Sequence, residues 1–140
     1  MNKCRKIVPG SVLGLICPSG HPSTQEEVYK FLNLLEEHGY RYKIGKSVFA
    51  VEGYLAGSDK LRAEDVMSMF KDDEVDAILC YKGGYGAQRM LPYLDFNEIK
   101  KHPKLLVGFS DVTVLLNTLY QFAEMPSLHG EMGVCMQKYE

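Results

Sequence analysis

Short apolar runs alternate with amphipathic segments along the 140 residues of this chain. Residues 12–17 (V-L-G-L-I-C) are continuously apolar, the pattern of a strand covered on both faces. The run stops at Pro18-Ser19-Gly20-His21-Pro22, a loop rich in turn formers. Ser23 or Thr24 is placed to cap a helix, with Glu26 and Glu27 suited to the positive end of its dipole. Val28, Phe31, Leu32, Leu34 and Leu35 recur at helical spacing until Gly39 stops the helix. Residues 40–44 read as a second, shorter strand, and residues 46–58 as an irregular surface loop. Ser58 or Asp59 caps another helix, whose apolar face is Leu61, Val66, Met67, Met69 and Phe70. Residues 76–81 (D-A-I-L-C-Y) form a third strand and end in Lys82-Gly83-Gly84-Tyr85-Gly86-Ala87. A short helix through Met90 and Leu91 follows, then a helical turn over residues 96–101. The apolar run Leu105-Leu106-Val107-Gly108 leads straight into Phe109-Ser110-Asp111, and residues 113–122 continue as a helix.

This alternation predicts an α/β fold: a mostly parallel sheet with helices on both faces, a flavodoxin-like or Rossmann-like three-layer domain. One domain with a real core suits the length. In such sheets ligands bind at the carboxyl ends of the strands. Three loops leave those ends here, at residues 18–22, 82–87 and 109–111, and they hold the unusual residues of the chain.

Composition narrows the function classes. A net charge of −2 gives no reason to expect nucleic acid or an anionic membrane as partner. No apolar run approaches the roughly 20 residues that span a bilayer. The basic start Met1-Asn2-Lys3-Cys4-Arg5-Lys6 lacks the unbroken apolar core of a signal peptide, because Pro9, Gly10 and Ser11 interrupt it. A cytoplasmic protein is expected. Cys4, Cys17, Cys80 and Cys135 form no C-x-x-C pair, and Cys17 and Cys80 end apolar runs, which argues for small buried side chains rather than disulfides or zinc.

The chemistry concentrates at Ser110. A serine between a strand and a helix sits on a sharp turn with its hydroxyl lifted clear of the sheet. That is the geometry of a nucleophile elbow, although the sequence reads G-F-S-D rather than G-x-S-x-G. A serine hydroxyl is a weak nucleophile at neutral pH and needs a base and an oxyanion hole. The amide of Asp111 is placed to give one oxyanion donor. Gly84 is placed to give the second, since consecutive glycines let the backbone approach a ligand without a clash at Cβ. Plainer readings stand beside this one. Ser110 or Asp111 is equally an N-cap of a buried helix. The glycine loop is equally a tight turn, or an anion cradle in a flavodoxin-like nucleotide or flavin binder. It matches neither a Walker loop nor G-x-G-x-x-G. Lys82 and Arg89 beside it are cations that would suit a substrate carboxylate.

No histidine stands out as the base. His38 ends a helix, His102 lies in a polar segment beside Pro103, and His21 shares the first strand-end loop. His129, in Ser127-Leu128-His129-Gly130-Glu131, is the one to test, with a structural or substrate-proximal role favoured for it.

Taken together, these residues make the chain resemble the amino-terminal domain of the LD-carboxypeptidase family of serine peptidases, which includes the microcin-immunity peptidases. The resemblance covers Cys17-Pro18-Ser19-Gly20, Gly57-Ser58-Asp59 with Arg62 and Asp65, and Lys82-Gly83-Gly84-Tyr85-Gly86-Ala87 with Arg89 and Leu91. It continues through Pro103-Lys104, Gly108-Phe109-Ser110-Asp111 with Thr113, and His129-Gly130. The glycine loop and the serine motif at this separation are jointly far more specific than either alone. Lys82 departs from the arginine usual at that place, keeping the charge and losing the bidentate geometry.

The resemblance implies a two-domain hydrolase without a cofactor or metal. Its nucleophile falls on Ser110, and its oxyanion donors on the amides of Asp111 and a glycine of the Gly83-Gly84 pair. Gly83, Tyr85 and Ser19 are the expected substrate contacts. The glutamate and histidine that complete the triad belong to a carboxyl-terminal domain, so residues 1–140 are expected to be a nucleophile domain with little turnover alone, and neither His129 nor Glu131 fills the vacancy. The implied substrate is a cell-wall (murein) peptide with a terminal D-amino acid, or a peptidyl-nucleotide-like amide. A homodimer is expected, because a domain without its partner exposes apolar surface.

Overall fold

The computed structural model describes residues 3–136, built around five strands: β1 (Val12–Ile16), β2 (Arg41–Ile44), β3 (Ala77–Cys80), β4 (Leu105–Gly108) and β5 (Leu128–His129). They form one sheet in the order β2-β1-β3-β4-β5, and every pairing is parallel. The register sets Ile16 opposite Cys80, Leu79 opposite Val107 and Gly108 opposite His129. This strand order belongs to flavodoxin-like sheets, whose crevice opens where the order reverses, between β1 and β3. The expected α/β fold, with its parallel sheet, is what the chain adopts. Among the described residues no helix is long and apolar enough to cross a membrane.

The helices are α1 (Gln25–Glu37), α2 (Asp59–Lys71), α3 (Ala87–Met90), α4 (Phe96–Lys100), α5 (Thr113–Ala123) and α6 (Gly133–Met136). Strand side chains alternate between two cores. Val12, Ile16, Ile78, Cys80 and Leu106 pack with residues of α2, α4 and α5 on one face. Leu13, Leu15, Cys17, Ala77, Leu79 and Tyr81 pack with α1 on the other. Cys17 and Cys80 thus lie in different cores, and both are free thiols held in the neutral form by burial. Gly14 lets α2 come close, since a Cβ there would sit 2.7 Å from Met69 Sδ.

Local signals explain most boundaries. Thr24 caps α1 in a capping box with Glu27, and Gly39 leaves the helix at φ +85°. Ser58 caps α2 through Leu61 N. Two expectations need correction, and one strand adds to them. Residues 46–58 are not simply a surface loop: they contain the 3-10 turn Lys46–Phe49, and Ser47, Val48, Ala56 and Gly57 are buried. What buries the turn is Asp65 of α2, whose carboxylate accepts from the amides of Lys46 and Ser47 and from the Ser47 hydroxyl. β5 was not expected at all, because two residues carry no periodicity. Asp111 does not cap its own helix: α5 begins after a 3-10 turn, Ser110–Val112, and has no side-chain cap.

Candidate active site

The strand-end loops meet at the crevice between β1 and β3. Gly20 N donates to Gly83 O at 3.0 Å, joining the first loop to the glycine loop. Gly84 and Gly86 lie at φ +123° and +100°, conformations that favour glycine. A Cβ on Gly86 would also lie 2.7 Å from Leu55 Cδ2, so the segment before α2 packs directly on this loop.

Ser110 stands at the end of β4 at φ +59°, one of two non-glycine residues with positive φ among the described residues. For a residue with a Cβ this conformation is costly, and such strain collects at functional turns. Phe109 before it is fully extended, and the chain turns helical directly after Ser110, so the side chain is pushed out at the corner. Ser110 is exposed. Gly83 lies against it: a Cβ there would sit 3.3 Å from Ser110 Cβ and 3.5 Å from Oγ. Among the described residues, the amides of Asp111 and Gly84 donate to no backbone or side-chain acceptor. The strand end therefore brings together an outward hydroxyl, a glycine in contact with it, and uncommitted N–H groups in both flanking loops.

Two charged groups hold these loops in place, Asp111 half-buried and Arg62 fully buried. The Asp111 carboxylate accepts from Ser19 Oγ at 2.7 Å and from Ala87 N at 3.0 Å, both on Oδ2. It thus ties the β1 loop, the glycine loop and the elbow together, and supplies the cap that α3 otherwise lacks. The guanidinium of Arg62, wholly buried, donates to Pro18 O at 2.9 Å, Gly86 O at 2.8 Å and Gly57 O at 3.3 Å, and pairs with Asp59. Asp59 also pairs with Arg89 at 3.3 Å. Burial lowers the pKa of Arg62, and Asp59 opposes that effect.

The expected site residues separate accordingly. Ser110, Asp111, Gly83 and Gly84 converge. Tyr85 is half exposed on the rim. Ser19, expected to touch substrate, is fully buried with its hydroxyl spent on Asp111, so its place is beneath the site. Arg62 was not singled out from the pattern, yet its position showed a signal: it falls on the apolar stripe of α2 with Val66, Met69 and Phe70, where a charge must be paired.

The histidines do not reach the serine. His21 places its ring nitrogens on Pro22 O and Gly53 O, His38 on Leu34 O, and His102 on Glu98. His129 is exposed and meets the edge of Phe109 with ring centroids 6.1 Å apart. Among the described residues no side chain hydrogen-bonds the Ser110 hydroxyl.

Comparison with known proteins agrees with this fold. A family model described as the LD-carboxypeptidase N-terminal domain matches residues 13–130. A probable murein peptide carboxypeptidase of Bacillus subtilis is 39% identical over 130 residues, which are 93% of this chain and 40% of that protein. A murein tetrapeptide carboxypeptidase of Pseudomonas aeruginosa is 36% identical over 122 residues, 86% of this chain and 39% of its own length. An MccF-like protein of Bacillus anthracis superposes with a TM-score of 0.90 at 26% identity, over 96% of this chain and 41% of that one. The chain spans about 40% of the length of the curated relatives it matches.

Proposed function

Since the chain belongs to the LD-carboxypeptidase family, we propose that it supplies the nucleophile and the oxyanion hole of a serine carboxypeptidase, with Ser110 as the nucleophile. What supports this reading is the positive φ of an exposed serine at the end of β4, pressed against Gly83 and flanked by the uncommitted amides of Asp111 and Gly84. Ser110 Oγ attacks the scissile carbonyl carbon and passes its proton to a base. The two amides hold the oxyanion that forms. The carbon–nitrogen bond then breaks, and the amine leaves with the proton from the base. Water opens the acyl-enzyme by the same route in reverse and releases the serine.

The base and the acid that orients it come from outside the described residues, on a second domain; every histidine described here is turned to another partner or lacks a bond to Ser110. The substrate is a murein peptide cut beside its terminal D-amino acid, in keeping with the names of the relatives. In this reading Gly83 and Tyr85 border the substrate, and Ser19 positions Asp111 from below.

The test is hydrolysis of a tetrapeptide ending in D-alanine by the full-length protein, its Ser110→Ala variant and residues 1–140 alone. Expected is a loss on the order of 10⁶ in kcat for Ser110→Ala, little turnover by the isolated chain, and labelling of Ser110 by a fluorophosphonate in the full-length protein. Activity that survives Ser110→Ala sinks the nucleophile assignment. Equal activity in residues 1–140 returns the base to this domain, with His129 the first suspect.

A further inference from the structure

Three cations stand near the strand-end crevice: Arg62, Lys82 and Arg89. Two of them share Asp59. Lys82 has no such partner, and no carboxylate among the described residues lies within ion-pair distance of it. It is not a freely solvated surface lysine either. The residue is half-buried, and its Cε lies 3.7 Å from the place a Cβ would take on Gly20. Its charge is felt at the buried Cys17 thiol, where it opposes the upward push of burial. The Lys82 side chain therefore runs over the first strand-end loop, with no carboxylate partner among the described residues. A half-buried lysine without a carboxylate partner gains from an anionic ligand, to which its N–H groups donate charge-assisted hydrogen bonds.

Its place in the chain makes that ligand specific. Lys82 precedes Gly83, the glycine in contact with Ser110. In a peptide cut at its last amide bond, the scissile carbonyl carbon and the terminal carboxylate carbon are three covalent bonds apart, under about 4 Å. The four-carbon stem of a lysine one residue from the elbow contact spans such a separation.

We propose that Lys82 binds the free α-carboxylate of the residue to be released, and that this contact makes the site a carboxypeptidase rather than an endopeptidase. The proposal rests on Ser110 being the nucleophile and adds the determinant of where along a peptide the cut falls. Arg89 is not an equivalent: its guanidinium is held by Asp59.

The experiment compares a tetrapeptide ending in D-alanine with the same peptide ending in D-alaninamide. Binding of both is measured by calorimetry to full-length protein carrying Ser110→Ala, with Lys82 intact, as Lys82→Met and as Lys82→Arg. With Lys82 intact, the acid binds on the order of 10- to 100-fold more tightly than the amide. Lys82→Met binds acid and amide alike, and Lys82→Arg keeps the preference. In the protein with Ser110 intact, the loss in Lys82→Met falls on KM for the acid and largely spares kcat. Equal binding of acid and amide with Lys82 intact overturns the proposal, as does a preference that survives Lys82→Met. Because this readout needs no turnover, it separates from the nucleophile assignment, which fails only if Ser110→Ala stays active.

Discussion

The two ends of the sheet each bury a charged side chain against backbone groups, and they use it differently. At the carboxyl ends of the strands the buried Arg62, with the half-buried Asp111 beside it, binds groups from several loops: Ser19, Ala87, Pro18, Gly57 and Gly86. At the amino end Lys104, just before β4, donates to the carbonyls of Met69 and Asp72 at the end of a single helix, α2. The first arrangement fixes the relation between segments that come from different strands. The second closes one helix. A buried charge that joins loops controls the geometry between Ser110 and the glycine loop, whereas one that caps a helix contributes to stability alone.

Asp111→Ala breaks the first arrangement most severely. Ser19 Oγ and Ala87 N both lose their acceptor, and a charge-assisted hydrogen bond is worth about 1.5–3 kcal/mol. A displacement of about 1 Å at the glycine loop costs on the order of 10²-fold in rate, and that loss is expected in kcat/KM of the full-length protein. Asp111→Asn sharpens the point. Both donors use the same oxygen, so an asparagine with its carbonyl at that place keeps both contacts. Within about fivefold of wild-type kcat/KM is expected for it. Equal losses in the two variants would show that the charge, and not the tie, is what matters.

A smaller break comes from Gly83→Ala. The added Cβ meets Ser110 Cβ at 3.3 Å and Met132 Cε at 3.4 Å. The methionine end can yield, but Ser110 cannot without rotating the elbow. A fall in kcat of about tenfold is expected, with unfolding free energy changed by less than about 1 kcal/mol. Unchanged kcat would mean that Ser110 has room the structure does not show.

How far this contrast was legible in the sequence follows from which signals are local. The elbow, the glycine loop and the α1 cap were legible, because a strand run, a serine and a helix start are neighbours in the chain. The sheet strands were legible for the same reason, save β5, whose two residues show only in pairing with β4. The ties were not. Ser19 and Asp111 are 92 positions apart, and nothing in either segment announces the other, so the sequence shows no sign that the Ser19 hydroxyl is spent on Asp111. Asp111 beside a helix start reads as its cap, yet its carboxylate caps α3 instead. Likewise, a loop over residues 46–58 reads as exposed until Asp65 and Ser47 are seen to bury its first turn. Arg62 was legible in part, as a charge on an apolar stripe.

Lys104→Met tests the other arm of the contrast, where the effect is smallest. It takes this donor from the Met69 carbonyl, while Asp72 O still accepts from Val75 N, and it removes a buried cation; a net loss of about 1–2 kcal/mol at pH 7 is expected, with kcat/KM unchanged. The pH dependence identifies the cause. Burial pulls the Lys104 pKa down to about 8, helped by Arg5 and opposed by Asp72, Asp73 and Asp76. An unfolded lysine holds its proton to about 10.4. Between those values the unfolded chain binds the extra proton, so the contribution of this group rises with pH. It is fully present above the unfolded value and is lost as pH falls through about 8. Cys17 and Cys80 work in the opposite direction, since burial keeps their thiols protonated in the folded chain while unfolded thiols ionise near 8.5. Total stability therefore hides the lysine, but the difference between wild type and Lys104→Met cancels the thiols. Urea unfolding of both at pH 7 and pH 10 should show the wild-type advantage growing with pH. A constant or shrinking difference would mean that Lys104 keeps its charge at little cost, and that the two ends of the sheet bury their charges on the same terms.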